Sequence, residues 1–262
     1  MASPLDSLAP SVESAAAIDL VRQCDVRGVL HSHTQYGNGA HSLDTMVETA
    51  REIGLEYLGI SDHYRCSGRD DGLCEDSMAR QREEIEMLRE KYPDFDILQG
   101  VEVDADPDGN LPLDDETLAG FDYVIVSLAN GHALDHYKLT DWMIKVAQHP
   151  RTTILGKPVG ACMLQKPPQP VDMEKVLQTA AVAGIILEID ANPCCDELDW
   201  SACHRAQELE VLLSINPNAH RAARLVDYRH GVEFARSAGV RCRNIMNTMS
   251  YVELRKYLSR RR

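Results

Sequence analysis

The chain has 262 residues, of which 44% are hydrophobic, and it carries a formal net charge of -14 at pH 7. This length is sufficient for one domain with a full hydrophobic core. The negative charge argues against nonspecific nucleic-acid binding, which depends on Lys and Arg neutralising phosphates. The sequence has no uninterrupted apolar run of about 18 residues, so no membrane span is predicted and a cytoplasmic location is expected.

Residues 1–24 are predicted to be a flexible lead-in, and residues 25–262 a single barrel domain. Short β-rich runs alternate in the second range with stretches of helical periodicity, a pattern typical of βα units around a parallel sheet. Seven or eight such units are expected. The predicted strands cover residues 27–31, 57–60, 96–101, 123–127, 153–156, 184–189 and 211–215, with a short run near 243–246. The predicted helices cover residues 42–53, 75–91, 139–148, 172–183, 199–209 and 231–238.

Helix termini are marked by residues with suitable capping chemistry. Ser42 precedes an acidic first turn and predicts an N-cap. Gly54, Gly184 and Gly239 follow predicted helices, at positions where a left-handed residue is favourable. The acidic stretch 104–116 is expected to be a solvated loop, because nothing nearby in the sequence pairs its charges.

Residue types that bind metals fall at or just beyond the C-terminal ends of the predicted strands. Those ends share one mouth in a barrel, so the side chains are expected to converge. His31 and His33 lie two apart on an extended segment and therefore point to the same side, where they can bind one ion together. A metal site is thus predicted from His31, His33, Asp62, His63, Glu102, Glu188 and His220.

Six segments carry a family resemblance. They are D-V-R-G-V-L-H-S-H-T (25–34), G-I-S-D-H (59–63), Q-G-V-E-V-D-A-D (99–106), D-Y-V-I-V-S-L (122–128), L-E-I-D-A-N-P (187–193) and N-A-H (218–220). Together they resemble the PHP (polymerase and histidinol phosphatase) domain family, particularly the form found at the C-terminus of bacterial family X DNA polymerases. The resemblance implies a distorted (β/α)7 TIM-like barrel holding up to three zinc, manganese or similar ions that hydrolyse phosphate esters.

The resemblance also implies individual roles. Asp62 is expected to orient a histidine from outside the ligand set, with a cap of the turn after the second strand as the alternative. The implied ion ligands are His31 and His33 for the first ion, Glu102 bridging to the second, and His63 with His220 for the third.

Four positions depart from the family pattern. Ala129 and Lys157 stand where the family has histidines after the fourth and fifth strands. Asn218 replaces an aspartate with a neutral amide, which binds metal more weakly, and Gly37-Asn38-Gly39 replaces S-D-G. Fewer than three ions are therefore expected, with Glu102 the one ligand kept for the second.

Lys157 is the departure with the largest electrostatic effect. Its ammonium group would repel a divalent ion and is expected to pair with Glu102 where a metal belonged. Two alternatives stay open. In one, Lys157 has a lowered pKa or is carbamylated and takes part in catalysis, and in the other its side chain reaches solvent.

Further histidines and cysteines lie near the expected mouth. His41, His132 and His136 are candidate replacement ligands, with simple exposure as the alternative. Cys194 and Cys195 follow the sixth strand and are candidate zinc ligands, with unreactive thiols as the alternative. The eight cysteines contain no C-x-x-C pair and are expected to be reduced.

Two classes of function follow. The first is a metal-dependent hydrolase of phosphate esters with a reduced centre, acting on a small phosphorylated or anionic substrate, with Glu102, Lys157 and Asp62 as catalytic candidates. The second is an inactive relative that acts by binding a partner or an anionic ligand. A barrel in which Lys157 serves non-hydrolytic chemistry on a small molecule is a third interpretation. The candidate ligands of zinc or manganese are His31, His33, His63, Glu102, His220 and Asn218.

Overall fold

A computed structural model of the chain describes residues 19–64, 72–128, 136–156, 171–193 and 200–260. Within these ranges seven strands form one sheet in chain order, and every neighbouring pair is parallel. The predicted seven-stranded barrel is confirmed. The strands are β1 (Gly28–Val29), β2 (Tyr57–Ile60), β3 (Asp96–Ala105), β4 (Tyr123–Leu128), β5 (Ile154–Leu155), β6 (Ile186–Asp190) and β7 (Leu213–Asn216).

Helices connect successive strands and cover the outside of the sheet. The capping predictions are confirmed, since Ser42 Oγ accepts a hydrogen bond from Thr45 N and all three glycines have positive φ. A helix that the sequence analysis did not list, Tyr251–Ser259, has Leu254 and Leu258 buried against the barrel interior. The helices are α1 (Leu43–Glu52), α2 (Glu75–Lys91), α3 (Asp115–Ala119), α4 (His136–Gln148), α5 (Met173–Ala183), α6 (Trp200–Glu208), α7 (Tyr228–Ser237) and α8 (Tyr251–Ser259). No described helix is both long and apolar enough to cross a bilayer.

The barrel interior is filled by the inward-facing residues of alternate strand positions. The Tyr123 ring lies across β2 and β3, and its hydroxyl donates to the Leu30 carbonyl. A Cβ added at Gly100 would lie 2.3 Å from Tyr123 Cζ, so glycine is required there by close approach. The same alternation places Glu102, two residues beyond Gly100, inside the barrel at its mouth.

Side-chain amides close the barrel between β1 and β7. Asn216 Oδ1 accepts a hydrogen bond from Leu30 N at 2.8 Å. Asn247 Oδ1 accepts from Ile215 N at 2.6 Å, and Asn247 Nδ2 donates to Gly28 O at 2.9 Å. The two asparagines thus satisfy backbone groups that face the seam.

The predicted strand run near 243–246 is wrong. The chain forms two 3₁₀ turns there, Cys242–Asn244 and Met246–Thr248, and Ile245 between them makes an isolated bridge to Leu213. An eighth strand is not needed at this position because the Asn247 side chain, and not a ladder, bonds both sides of the seam.

The expectation for the acidic stretch 104–116 is also wrong in part. Strand β3 and helix α3 take up its two ends. Between them, Asp106 Oδ1 accepts from the backbone N–H groups of Asp108 and Asn110. Lys145 of α4 donates to Asp108 O and to Asn110 Oδ1. The stretch therefore has a cationic partner that is distant in the sequence but adjacent in the fold.

The described part of the predicted lead-in begins at residue 19 and packs against the barrel. Val21 is fully buried, and its backbone N–H donates to Val240 O at 3.1 Å. Residues 1–18 lie outside the described ranges, and a flexible lead-in there stays a prediction.

Replacing Asn247 with leucine is expected to destabilise the barrel. Asn247→Leu leaves Gly28 O and Ile215 N without their partners, and each buried unsatisfied group costs about 1–3 kcal/mol. The free energy of unfolding, measured by chemical denaturation, is therefore expected to fall by about 2–5 kcal/mol.

Gln178→Leu is the matched control, because it also replaces a side-chain amide with leucine, but on an exposed position of α5. Its effect is expected to stay within about 0.5 kcal/mol. Equal stability of Asn247→Leu and the unmodified protein would show that the seam does not depend on this amide.

Candidate metal centre

Backbone pairing across the seam places three histidines side by side. Ala219 N donates to His31 O at 3.2 Å, and His33 N donates to Ala219 O at 2.9 Å. His220 directly follows this bridge, and its ring stacks on the His33 ring with centroids 4.1 Å apart. Both His31 and His33 are fully buried.

Pairing between β2 and β3 continues beyond the end of β2 and positions His63. Glu102 N donates to Asp62 O at 3.2 Å, and Tyr64 N donates to Glu102 O at 2.8 Å. His63 therefore lies opposite Glu102, and its ring stacks on His33 with centroids 5.0 Å apart.

One oxygen of Glu102 is shared by three imidazoles. Glu102 Oε2 lies 3.0 Å from His31 Nε2, 3.0 Å from His63 Nε2 and 3.5 Å from His33 Nε2. The carboxylate is fully buried, as are two of the three histidines, and His63 is nearly so. The predicted convergence of these side chains at the barrel mouth is therefore present in the structure.

The spacing of these nitrogen and oxygen atoms suits a divalent ion. Ligand atoms about 2.0–2.2 Å from one zinc ion lie about 3.0–3.6 Å from each other in tetrahedral or octahedral arrangements. The donor atoms of His31, His33 and Glu102 all lie within 4.8 Å of one another. His33 Nδ1 is also buried without a hydrogen-bond partner. Imidazole and carboxylate are ligands of both zinc and manganese, so the residues present fit such an ion.

The ionisation of His31 and His33 reflects their unequal access to carboxylates. Burial opposes protonation of His31, but Glu188 and Glu102 outweigh it and raise the His31 pKa to about 10. Burial lowers the pKa of His33 well below its ordinary value, Glu102 opposes that effect, and repulsion from the neighbouring imidazoles adds to it. The cluster therefore stabilises positive charge beside Glu102, where a metal ion would carry it.

Asp62 lies close to the centre, but its hydrogen bonds go elsewhere. Its carboxylate accepts from Thr34 N at 2.6 Å, from Thr34 Oγ1 at 2.5 Å and from Gln81 Nε2 at 2.8 Å. Burial raises the pKa of Asp62 to about 7 against the opposing effect of the Thr34 bonds. These contacts hold the segment after β1 and helix α2, not the turn after β2 that the sequence suggested, and none of the three hydrogen bonds goes to a histidine.

Asn218 enters the centre as the sequence predicted. The residue has a positive φ of 46°, and its Oδ1 lies 3.1 Å from His33 Nε2. Its Nδ2 donates to Asp190 Oδ2 at 3.0 Å, which turns the amide oxygen towards the histidines. Burial, reinforced by Glu188, raises the pKa of Asp190.

Sequence reasoning placed Glu188 at the mouth but missed its contact with a histidine. Glu188 Oε1 lies 2.7 Å from His31 Nδ1 and accepts from Asn216 Nδ2 at 2.9 Å. Ser127 was also missed, and its hydroxyl donates to Glu102 Oε1 at 2.6 Å. The sequence signal was present, because both side chains follow the inward alternation of their strands.

Several predicted residues lie outside the described part of the chain. Among the three candidate replacement ligands, His41 has a described side chain, and its Nδ1 accepts a hydrogen bond from Ala222 N at 3.3 Å. The predictions for the remaining residues stay untested. Outside the description are Ala129, His132, Lys157, Cys194, Cys195 and the side chain of His136.

Comparison with known proteins identifies the family. The sequence model of the PHP domain matches residues 29–162, just over half of the chain. The chain belongs to the PHP domain family. The matched range contains His31, His33, His63 and Glu102, so most of the histidine cluster lies in the part that defines a PHP domain.

Two curated relatives share the PHP region at moderate identity. Bacillus subtilis (strain 168) DNA polymerase/3'-5' exonuclease PolX is 29% identical over 244 residues, which cover 93% of this chain and 43% of PolX. The chain thus spans less than half of that relative's length. A probable phosphatase from Thermoanaerobacter sp. (strain X514) is 26% identical over 247 residues, which cover 89% of this chain and 96% of that protein.

Two solved PHP-type structures have the same barrel. Histidinol phosphate phosphatase from Lactococcus lactis, crystallised with zinc, L-histidinol and phosphate, superimposes with a TM-score of 0.61 at 16% identity. The match covers 82% of this chain and 94% of that chain. The HisK structure from Listeria monocytogenes gives a TM-score of 0.58 at 15% identity, covering 76% and 97%. At these identities the likeness shows the shared fold.

Asp62→Asn separates the two roles that the sequence left open. An amide cannot accept all three hydrogen bonds from Thr34 and Gln81, so the free energy of unfolding is expected to fall by about 1–3 kcal/mol. Zinc affinity, measured by isothermal titration, is expected to change by less than about tenfold, because a residue that orients a metal ligand typically contributes about 10–100-fold. A larger loss of affinity at unchanged stability would favour the histidine-orienting role.

Proposed function

We propose that this PHP domain is a metal-dependent phosphoesterase that works with fewer than three ions. The observation that carries the proposal is the sharing of Glu102 Oε2 by His31, His33 and His63 inside a barrel mouth. A buried carboxylate among imidazoles is a donor set for a catalytic divalent ion, which PHP phosphatases require.

The inner residues divide into two groups around Glu102. His31 and His33 with Glu102 would hold one zinc or manganese ion, with the Asn218 amide oxygen as a weaker fourth ligand. His63 and His220 flank the His33 ring on the two sides of the seam and would serve a further ion. Glu102 is the one carboxylate among these six side chains, which favours a reduced number of ions.

When bound, the metal would polarise the phosphoryl oxygens and lower the pKa of a water molecule. The protein's own contribution is to hold the ligands rigidly and to keep solvent from them. Ser127 fixes one oxygen of Glu102 while the other faces the imidazoles. Burial of the cluster strengthens every charge interaction with an anionic substrate.

The relatives support phosphate-ester chemistry and a small substrate. The Thermoanaerobacter relative is named a probable phosphatase, and the Lactococcus structure holds phosphate and L-histidinol. The net charge of -14 disfavours a polyanionic nucleic acid as the usual partner. A small phosphorylated or anionic molecule is therefore the proposed substrate class, in the cytoplasm.

Lys157 is retained in the proposal as the cation that replaces one metal. Its neighbour Gly156 lies beside Ser127, where an added Cβ would be 2.8 Å from the hydroxyl that binds Glu102. An ammonium group in that region would neutralise a buried carboxylate and reduce the requirement for a second ion.

The second candidate is a PHP domain that binds an anionic ligand without turnover. Asn218 favours it, because the amide oxygen facing His33 carries no formal charge. A weakly held ion would still attract a phosphate group but would activate water less well.

Activity and metal content are expected to depend on His33. Protein purified without chelator is expected to contain at least about one ion and to hydrolyse a chromogenic phosphomonoester with added manganese or zinc. His33→Ala should reduce turnover at least about 100-fold, because it removes a direct ligand whose role is larger than that of an outer partner.

His204→Ala is the matched control, since His204 is exposed on α6 away from the cluster. Its metal content and turnover are expected to equal those of the unmodified protein. Protein that copurifies with little metal and shows no turnover above the His33→Ala background would instead favour the binding-only candidate.

Exchanging the side chains of residues 218 and 190, so that the carboxylate lies at 218 and the amide at 190, is expected to strengthen metal binding. Asn218→Asp alone would set two carboxylates about 3.0 Å apart and be opposed by their repulsion. The double variant Asn218→Asp, Asp190→Asn keeps the hydrogen bond and adds an inner carboxylate, so zinc affinity should rise about tenfold above both the unmodified protein and the single variant. Equal affinity of all three proteins in chelator competition would show that residue 218 is not a ligand.

A further inference from the structure

Two carboxylates of β6 face the mouth behind the inner ligands. Glu188 and Asp190 are two residues apart on one strand, so both point inwards. Glu188 is fully buried and Asp190 nearly so. The sequence placed Glu188 among the residues of the mouth but gave no role to Asp190, and each contacts a different member of the candidate zinc or manganese ligands.

Glu188 is fixed on one side by the barrel seam and on the other by His31. Its Oε1 accepts from Asn216 Nδ2 at 2.9 Å, while Asn216 Oδ1 accepts from Leu30 N across the seam. The same Oε1 lies 2.7 Å from His31 Nδ1 and accepts its proton in a hydrogen bond. His31 Nε2, which lies 3.0 Å from Glu102 Oε2, is the nitrogen that would bind an ion once its own proton is lost.

Asp190 has the corresponding role for Asn218. Its Oδ2 accepts from Asn218 Nδ2 at 3.0 Å, and its Oδ1 accepts from Asn192 N at 2.9 Å. Because a carboxylate only accepts, it fixes the amide with nitrogen outwards and oxygen towards His33.

The same pair adds negative charge next to the centre. Glu102 is the one carboxylate among the six inner side chains, so a divalent ion there would leave an excess of about one positive charge in a buried site. Glu188 and Asp190 supply further negative charge within hydrogen-bond distance of the inner residues.

We propose that Glu188 and Asp190 are positioning residues of the metal centre, with Glu188 setting the orientation of His31 and Asp190 that of Asn218. The inference rests on the proposed function in requiring a bound divalent ion, but it does not require catalysis. Partners of this kind outside the ligand set typically contribute about 10–100-fold to metal affinity.

The test compares Glu188→Gln and Asp190→Asn with the unmodified protein after removal of metal. Zinc affinity is measured by competition with a chromophoric chelator, and the imidazole nitrogens of His31 are followed by ¹⁵N NMR. Glu188→Gln is expected to weaken zinc binding about 10–100-fold and to shift or broaden the His31 Nδ1–H signal. Asp190→Asn is expected to weaken zinc binding about tenfold and to leave that signal in place.

Asp122→Asn is the matched control, because it neutralises a largely buried carboxylate at the opposite end of the barrel, where Asp122 accepts from Gln99 N. Its zinc affinity and its His31 signal are expected to equal those of the unmodified protein. If Glu188→Gln does not fold, Glu188→Asp takes its place, since it keeps the charge but shortens the reach to His31, and the same direction of change is expected.

Three results would overturn the inference. They are zinc affinity unchanged in both β6 variants, an equal loss of affinity in Asp122→Asn, and unmodified protein that binds no zinc. Unmodified protein that binds zinc but hydrolyses no phosphate ester would remove the proposed function and leave the positioning role standing.

Discussion

The burial of the Glu102 carboxylate is the constraint on which the mouth of this barrel depends. An ionised carboxylate in a water-free interior is costly unless hydrogen-bond donors and positive charge surround it. Here the donors come from Ser127 on β4 and from histidines that follow β1 and β2. Satisfying one charge therefore ties four strands together at their C-terminal ends, and it gathers a group of donor atoms that could hold a metal ion.

The Asn216 side chain takes part both in closing the barrel and in holding Glu188, which contacts His31. Asn216 bonds the backbone of β1 with its oxygen and Glu188 with its nitrogen. Glu188 in turn bonds His31, which lies in the segment that Asn216 holds. One chain of hydrogen bonds thus connects the seam to the His31 imidazole. This arrangement explains why polar residues are buried in the barrel wall, where apolar packing alone would close the fold but would not align a ligand.

Asp62 and Glu188 show where an inference from motif positions reaches its limit. Both are acids at strand ends, and the family pattern pointed to Asp62 as the residue that orients a histidine. In the fold Asp62 caps the turn at Thr34, while Glu188 contacts His31. Sequence spacing gives the strand and the face of a side chain, but the neighbour within hydrogen-bond distance depends on how strands far apart in the chain are brought together across the barrel.

The sequence by itself determined the place and order of the seven strands, the helix caps at Ser42 and the three glycines, and the residue types that gather at the mouth. These features depend on local periodicity and backbone preference, which short segments carry on their own. The tertiary structure alone decided that the run near 243–246 turns instead of forming a strand, that Lys145 bonds the acidic loop, and which carboxylate bonds which imidazole. Each of these outcomes is a contact between residues distant in the chain, and its energy exists only after the barrel has closed.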